Sequence, residues 1–518
     1  MDDVTKSLVS HKFKTPQELA QIIGPPPRRR KVIMCHGTFD IVHPGHVRHL
    51  LYAKSKGDVL IASLTADAHI VKANFRPFVP QELRAFNLAA LEAVDYVVID
   101  VNETPIANIA LIQPDYFAKG YEYTTDGLHP KTAEEKTAVE AYGGEIIFTP
   151  GDIVYSSSRI IETEPPAIAT EKLMALLDAE GVSAGDLRQA LAGLKGLKVH
   201  VVGDTIVDSY TRCSMVGGMT KTPTISVRFE EREDFVGGAG VVAKHLRAAG
   251  AAVSFSTVLG EDDTAAFALA DLKAAGVNCL PIIDRTRPTT NKNAISVGNY
   301  KLLKIDTVDN RAISDKIAKS LCEQIRDTAV DLVVFSDFRH GVFNRDTIPD
   351  LTAAISPGVF RVADSQVASR WGNVLEFTDF DLLSPNEREA RFALGDQDSV
   401  VRPLGLELYR RARCKTLILK LGERGLMTFR AIPQKDEDVR AFFALDSFAH
   451  HVVDAVGAGD ALLAYAALSL FSTRSALIAS VLGALAAAIE CEHDGNVPVS
   501  PAQVLAKLAQ YERLLQYQ

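Results

Sequence analysis

Two histidines three residues apart, His43 and His46, lie in the stretch Val32–Leu51, VIMCHGTFDIVHPGHVRHLL. That spacing puts both imidazoles on one side of a helical turn. Pro44 suits a first helical turn, where its missing N–H costs nothing. A helix N-terminus flanked by two imidazoles, with glycines that admit close backbone approach, is a place for an anionic phosphate. Gly37, Thr38 and Phe39, in the turn after the apolar strand Val32–Cys35, complete such a cradle. Donors fixed before reaction suit attack at the α-phosphate of a nucleoside triphosphate, where charge grows on non-bridging oxygens and on departing pyrophosphate. By themselves, two such histidines also suit a capped helix start; the GTFD turn after an apolar strand favours the phosphate reading.

A second stretch, His451–Leu468 (HVVDAVGAGDALLAYAAL), places Gly457-Ala458-Gly459 where a loop turns into a long apolar helix. Unpaired N–H groups and the positive end of the helix dipole meet there. Asp460 follows at once. A carboxylate beside an anion cradle can take the proton of an attacking hydroxyl while the cradle holds phosphoryl charge. An ordinary helix cap is the plainer use of the same four residues.

The elements that must hold these groups alternate between strand and helix. From Lys31 to Ile161 the strand candidates are VIMC, VLIASL, YVVID, YFAKG and EIIFTP. Such alternation predicts a parallel sheet covered on both faces, with ligands at the carboxyl ends of its strands. Lys119 falls at that rim. Lys72 and Arg84 are further candidates for triphosphate contacts, and Ser156, Ser157 and Ser158 can cap the last helix or hold phosphate. Residues 1–30 form a helical extension with Thr15-Pro16-Gln17-Glu18 as its cap, broken by PPPRRR, which reads as a solvated turn. Residues 162–196 read as linker helices that pack on the second domain, which spans 197–518.

Strands restart at Leu197. Gly237 and Gly238 open a helix without the Gly-x-Gly-x-x-Gly spacing of a dinucleotide site, and so suit close approach to a small hydroxylated ligand. Asp208 can accept hydrogen bonds from sugar hydroxyls or cap a turn. Asp204 reads more readily as the turn residue.

The 518 residues suffice for two or three domains. A net charge of −9 gives no support to nucleic-acid or acidic-membrane binding. Six scattered cysteines predict reduced thiols, and the start is too polar for a leader. The alanine-rich tract Leu477–Ile489 is too short to span a bilayer. A soluble cytoplasmic chain is expected.

GTFDIVHPGH, with GDVLIASLTAD, RPFVPQELRAFNLAALEAVDYVV, QPDYFAKGYEY and SSSRII in that order, resembles the HxGH nucleotidyltransferases. The likeness is to the transferase half of the bifunctional heptose-phosphate kinase/adenylyltransferases. From Leu197 to Gln518 the VGGAG helix, the Asn386-Glu387-Arg388-Glu389 segment, LKLGERG and GAGD resemble the ribokinase-like sugar kinases. The resemblance implies an α/β protein of two doubly wound parallel-sheet domains: a Rossmann-like nucleotidyltransferase (31–161), then a ribokinase-like kinase with a small lid sheet. It implies catalysis by His43, His46 and Lys119 in the first and by Asp460 in the second. Asn386 and Glu389 would organise Mg²⁺, with Glu389 the metal residue. Lys420, Gly422 and Asn496 would lie near the nucleotide, and Asp208, Gly237, Gly238 and Lys292 near the sugar.

Together these imply synthesis of a nucleotide-activated sugar of ADP-heptose type, using Mg²⁺ and ATP, with ATP or CTP as nucleotidyl donor. A CDP-linked sugar or polyol is the alternative product, and a domain retained only for binding or assembly is another. Homo-oligomerisation through the lid is a further implication. The sequence departs from the pattern in its inverted domain order, in SSS, in KTPTISVR (221–228), and in Ala294 where heptose kinases carry arginine.

Overall fold

Along the first strand, β1 (Val32–Gly37), Ile33 and Cys35 enter one buried cluster while Val32 and Met34 enter another. That two-residue period explains why the strand reads as a continuous apolar run: both faces are covered. β2 (Val59–Thr65) repeats it, with Leu60, Ala62 and Leu64 on one side and Val59 and Ile61 on the other. The coordinates are a computed structural model, which describes residues 9–70, 77–120, 130–149, 169–219, 224–366, 373–430, 442–449, 451–493 and 495–516.

The chain divides into two compact units, one built on Met1–Gly181 and the other on Val182–Ala431 and Phe442–Gln518. The first holds five parallel strands in the order β3-β2-β1-β4-β5, with β3 Tyr96–Asp100, β4 Tyr116–Gly120 and β5 Glu145–Thr149. The predicted five-strand alternation is therefore present. Ahead of it, Thr15 caps the helix Pro16–Ile23 through a reciprocal capping box with Glu18. Arg28 departs from the solvated-turn expectation: its side chain is buried, 3.6 Å from Asp115.

The second unit is built on a nine-stranded sheet ordered β10-β9-β6-β13-β14-β15-β16-β17-β18. In chain order these are β6 (Lys198–Gly203), β9 (Ala252–Leu259), β10 (Asn278–Ile283), β13 (Leu332–Asp337), β14 (Phe360–Ser365), β15 (Leu382–Leu383), β16 (Thr416–Lys420), β17 (Leu426–Arg430) and β18 (Phe442–Leu445). All pair in parallel up to β16, after which β17 and β18 are antiparallel. A separate four-stranded sheet, β12-β11-β7-β8, forms the predicted lid from the long hairpin β7 (Thr205–Met219)/β8 (Thr224–Gly238) and the hairpin β11 (Thr290–Val297)/β12 (Tyr300–Thr307).

The alanine-rich tract is the buried helix Ala476–Cys491, packed on the helix Ala458–Thr473. Among the described residues no helix is long and apolar enough to cross a membrane. All six cysteines are free thiols. The two linker helices part company. Ala184–Ala192 packs within the second unit, but Ala169–Ala179 belongs to the first, where Lys172 lies 3.8 Å over the Phe78 ring. The expectation that both would pack on the second domain is corrected by that contact.

Candidate active sites

In the first unit the GTFD turn is held from behind. The buried Asp40 carboxylate accepts the N–H groups of Phe78 (3.0 Å) and Val79 (2.8 Å). Arg84, in the helix Gln81–Ala89, is fully buried; it donates to Thr38 O, to Thr65 O at 2.9 Å, to Val79 O at 2.9 Å and to Asp67 Oδ1 at 2.6 Å. The expectation that Arg84 touches triphosphate is corrected accordingly: its guanidinium is occupied by backbone carbonyls and a carboxylate, and it braces the turn that carries Thr38 and Phe39. Lys72 and Ser156, Ser157 and Ser158 lie outside the described residues.

The helix Pro44–Lys54 starts with His43 as its cap. His43 Nδ1 accepts the Gly45 N–H at 3.1 Å, so the neutral ring carries its proton on Nε2. Burial, and then Arg48, pushes His43 below its ordinary pKa. His46 Nδ1 faces the carbonyl of Ile41 at 3.1 Å, and a carbonyl only accepts, so this nitrogen bears the proton. The rings stack with centroids 3.9 Å apart. Gly45 is required between them, because a Cβ there would stand 2.8 Å from His43 Cε1.

Lys119, at the carboxyl end of β4, is buried against Glu135 with Nζ to Oε2 at 2.6 Å. Two imidazoles lie in its field. His36 bonds Ser63 Oγ (3.0 Å) and Thr65 Oγ1 (3.2 Å) and is pushed down to about 3 by burial and then Lys119. His49, six residues after His43 on the same helix, bonds Thr149 Oγ1 at 2.9 Å and is pushed down to about 4 by the same two causes. Both stay neutral, so the ammonium keeps the local positive charge. Glu135, His36 and His49 were not among the candidates. His49 was legible as the third histidine at helical spacing; Glu135 left no signal.

In the second unit a cavity of about 860 Å³ gathers the kinase candidates: Asp208, Gly238, Lys292, Asn386, Glu389, Lys420, Gly422, Gly457, Ala458, Gly459, Asp460 and Asn496 all line it. Gly457 adopts φ +86°, a left-handed value that favours glycine. The N–H groups of Ala458 and Gly459 at the helix start find no acceptor among the described residues, as an anion cradle needs. Asp460, on the first turn, is buried; burial and then Asp364 push its carboxyl up to about 8, against the pull of Lys420.

Lys420 Nζ sits 2.9 Å from Asp364 Oδ2 and would lie 3.4 Å from a Cβ at Gly459. Asn386 and Glu389 form a capping box for the helix Glu387–Leu394: Asn386 Oδ1 accepts the Glu389 N–H at 2.9 Å, and Glu389 Oε2 accepts the Asn386 N–H at 2.7 Å. Burial and then Asp364 raise Glu389 to about 7. Asp364, Glu389 and Asp460 thus set three carboxyl groups around the one Lys420 ammonium, which cannot offset all three when ionised, so Glu389 and Asp460 hold their protons to higher pH. Among the described residues no group of three or more acidic, cysteine or histidine side chains is close enough to cage a metal alone. The buried Glu389 carboxyl group beside Asn386 offers the kind of oxygen donor that Mg²⁺ takes from a protein, its other positions going to water and substrate phosphate. Asp364 escaped the sequence reading, although its place at the end of β14 obeys the strand-end rule.

Elsewhere in the same cavity Asp208, in β7, pairs in register with Lys292 in β11. Burial lowers the Lys292 pKa, with Asp208 opposing, and burial raises that of Asp208. Asp208 Oδ2 accepts Asn496 Nδ2 at 3.5 Å and would meet a Cβ on Gly237 at 2.1 Å. Gly238 has φ +58°, and a Cβ there would stand 2.5 Å from Asp204 O. Asp204 is the turn residue expected: its carboxylate accepts the N–H groups of Phe338, His340 and Val342. Ala294 also lines the cavity, and directly opposite it across the strand pair stands Lys304, which was not among the site candidates.

A family model described as pfkB family carbohydrate kinase matches residues 197–503, and one described as cytidylyltransferase-like matches residues 34–163. The chain is 40% identical over 138 residues to the bifunctional protein HldE of Geobacter metallireducens, covering 26% of this chain and 27% of that protein. It is 28% identical over 319 residues to the bifunctional protein HldE of Desulfatibacillum aliphaticivorans, covering 60% and 63%. The chain thus spans about a quarter to under two thirds of the length of these curated relatives. Among solved structures, phosphofructokinase-2 from Escherichia coli in complex with potassium shares the fold: TM-score 0.51 at 17% identity, covering 61% of this chain and 100% of that one.

Proposed function

The chain belongs to the pfkB family of carbohydrate kinases, and from that premise we propose a bifunctional enzyme that makes a nucleotide-activated sugar. In the second unit Asp460 takes the proton of a sugar hydroxyl, and that oxygen attacks the γ-phosphorus of ATP, with ADP leaving. Ala458 and Gly459 N–H groups hold the growing phosphoryl charge, and Lys420 lies beside them. Bound Mg²⁺ would offset phosphate charge, held through Glu389 and Asn386. In the first unit an oxygen of a sugar-1-phosphate attacks the α-phosphorus of a nucleoside triphosphate, and pyrophosphate leaves. His43 donates from Nε2, His46 does so once its ring is protonated, and the Lys119 ammonium supplies the standing positive charge.

One observation carries the kinase reading: Asp460, the anion cradle and the Asp208–Lys292 pair line a single cavity. Lys292, with Lys304 opposite Ala294, supports an acceptor that is already anionic, a sugar phosphate. That agrees with an ADP-heptose-type product when a separate phosphatase removes the acceptor's original phosphate between the two reactions, leaving the sugar-1-phosphate that the first unit would use. The cytidylyltransferase-like match favours a second reading in which CTP is the donor and the product is CDP-linked. The test is to incubate the full chain with ATP or CTP and a panel of sugars and sugar phosphates, identifying products by mass. Strong CTP preference removes the ADP-linked version; no phosphoryl transfer to any acceptor removes the kinase.

The same reading places the enzyme in the cytoplasm, consistent with six free thiols. It also gives a homo-oligomer joined through the lid, where Met215, Val216, Ile225 and Phe229 are exposed. A single-chain mass by light scattering would remove that assembly.

A further inference from the structure

Glu490 lies near the end of the helix Ala476–Cys491, against the Gly457 turn, and none of the chemistry above uses it. It is 1% exposed. Its Oε1 accepts the Val497 N–H at 3.1 Å, while Oε2 is buried without a partner among the described residues. Asn496 repeats the pattern: Nδ2 donates to Asp208, and Oδ1 is buried without a partner. The two side chains converge on one point. A Cβ at Gly457 would stand 2.7 Å from Asn496 Oδ1 and 2.8 Å from Glu490 Oε1.

Buried acceptors without a donor are costly and rare. Ionised, Glu490 would make matters worse. The charged groups acting on it are both acidic: Asp460 on the helix Ala458–Thr473 and Asp454 in the preceding loop. The Cys491 thiol is next to it in the chain and is raised by burial first, then by Glu490 itself. Burial, with these carboxylates, pushes Glu490 up to about 8. A proton answers the problem, because a neutral carboxyl group supplies a donor where only acceptors stand.

We propose that Glu490 is a positioning residue for phosphoryl transfer: a neutral acid whose O–H, shared with Asn496, holds Gly457 in its left-handed turn and so sets the anion cradle and Asp460. The proposal rests on the kinase reading of the second unit. Since Asn496 also bonds Asp208, the same clasp joins the sugar carboxylate to the phosphate cradle.

The test compares Glu490→Gln and Glu490→Leu in the full chain. Gln, neutral and able to donate, should transfer phosphate from ATP within about threefold of wild type near neutral pH, whereas Leu should lower kcat about tenfold or more with acceptor KM little changed. The Gln variant should also keep its rate above about pH 8, where the wild type loses the proton and declines. Gln as damaged as Leu, Leu as active as wild type, or an unchanged alkaline decline in Gln each overturns the proposal.

Melting temperature gives a readout that needs no acceptor. A carboxyl group whose folded pKa is raised loses stability as pH climbs from its unfolded value to its folded one, so the advantage of Gln over wild type should widen from about pH 5 to about pH 8 and then level off. A constant difference overturns the buried proton even where no sugar is phosphorylated and the kinase reading has itself failed.

Discussion

His43 and His46 stack ring on ring at 3.9 Å, yet their backbone partners protonate them differently: His43 accepts at Nδ1 from Gly45 N–H, and His46 offers Nδ1–H to Ile41 O. A neutral His43 therefore already presents an Nε2–H donor, whereas His46 donates from Nε2 only as imidazolium. In the proposed transferase site the pair would offer a triphosphate one donor from a neutral ring and a second only once His46 is protonated.

Removing either ring should stop nucleotidyl transfer and spare the kinase. His46→Ala and His43→Ala are each expected to lower pyrophosphate release by about a hundredfold or more. ATP-dependent phosphoryl transfer in the same samples should stay at wild-type rates. A parallel fall of both activities would contradict the assignment of the two chemistries to separate units.

Gly45→Ala tests the geometry without removing a functional group. Its new methyl would have to displace His43 Cε1 from 2.8 Å, so pyrophosphate release should fall about tenfold or more. Melting temperature should move little, since Gly45 sits on the first turn of the helix. Arg84→Met should do the opposite in order of cause, unfolding first. Loss of the buried guanidinium leaves the carbonyls of Thr38, Thr65 and Val79 without their donor and the half-buried Asp67 without its cation, at a cost of about 2 kcal/mol or more, readable in a denaturant titration.

The kinase should show an acid limb far above the ordinary carboxylate range. Asp460 acts only when deprotonated, and burial with Asp364 pushes it up to about 8, so kcat/KM should rise with pH toward that value. The linkage runs the other way for folding. A raised carboxyl pKa means stability is lost as pH climbs from the unfolded value to about 8, so Asp460→Asn should be the more stable protein at alkaline pH. That variant should also lose several powers of ten in sugar-dependent ADP formation. An unchanged rate would show that Asp460 is not the base.

Lys292 and Lys304 should separate phosphorylated from unphosphorylated acceptors. Lys292→Met and Lys304→Met are each expected to raise KM for a sugar phosphate about tenfold while leaving kcat within about threefold. KM for the free sugar should hardly change with Lys304→Met. Equal effects on both acceptors would assign these lysines to the nucleotide or to the fold.

Much of this was legible in the residues because strand, turn and helix start follow one another along the chain. HPGH and GAGD each carry their own positioning element, so a local motif reported a local geometry. The partners were not legible where they come from other elements. Glu135 reaches Lys119 from the following helix, Pro130–Glu140, Asp364 reaches Lys420 from β14, and Lys304 faces Ala294 only once the β11–β12 hairpin sets its register. Arg84 was misjudged for a related reason: an arginine in an amphipathic helix looks available until four acceptors close around it.

Among the described residues, neither of the main sheets borrows a strand from the other unit: β1 to β5 complete one, and β6 onward complete the rest. Each half thus carries the means of its own folding. The order in which the two halves follow one another along the chain therefore places no demand on the strand pairing of either.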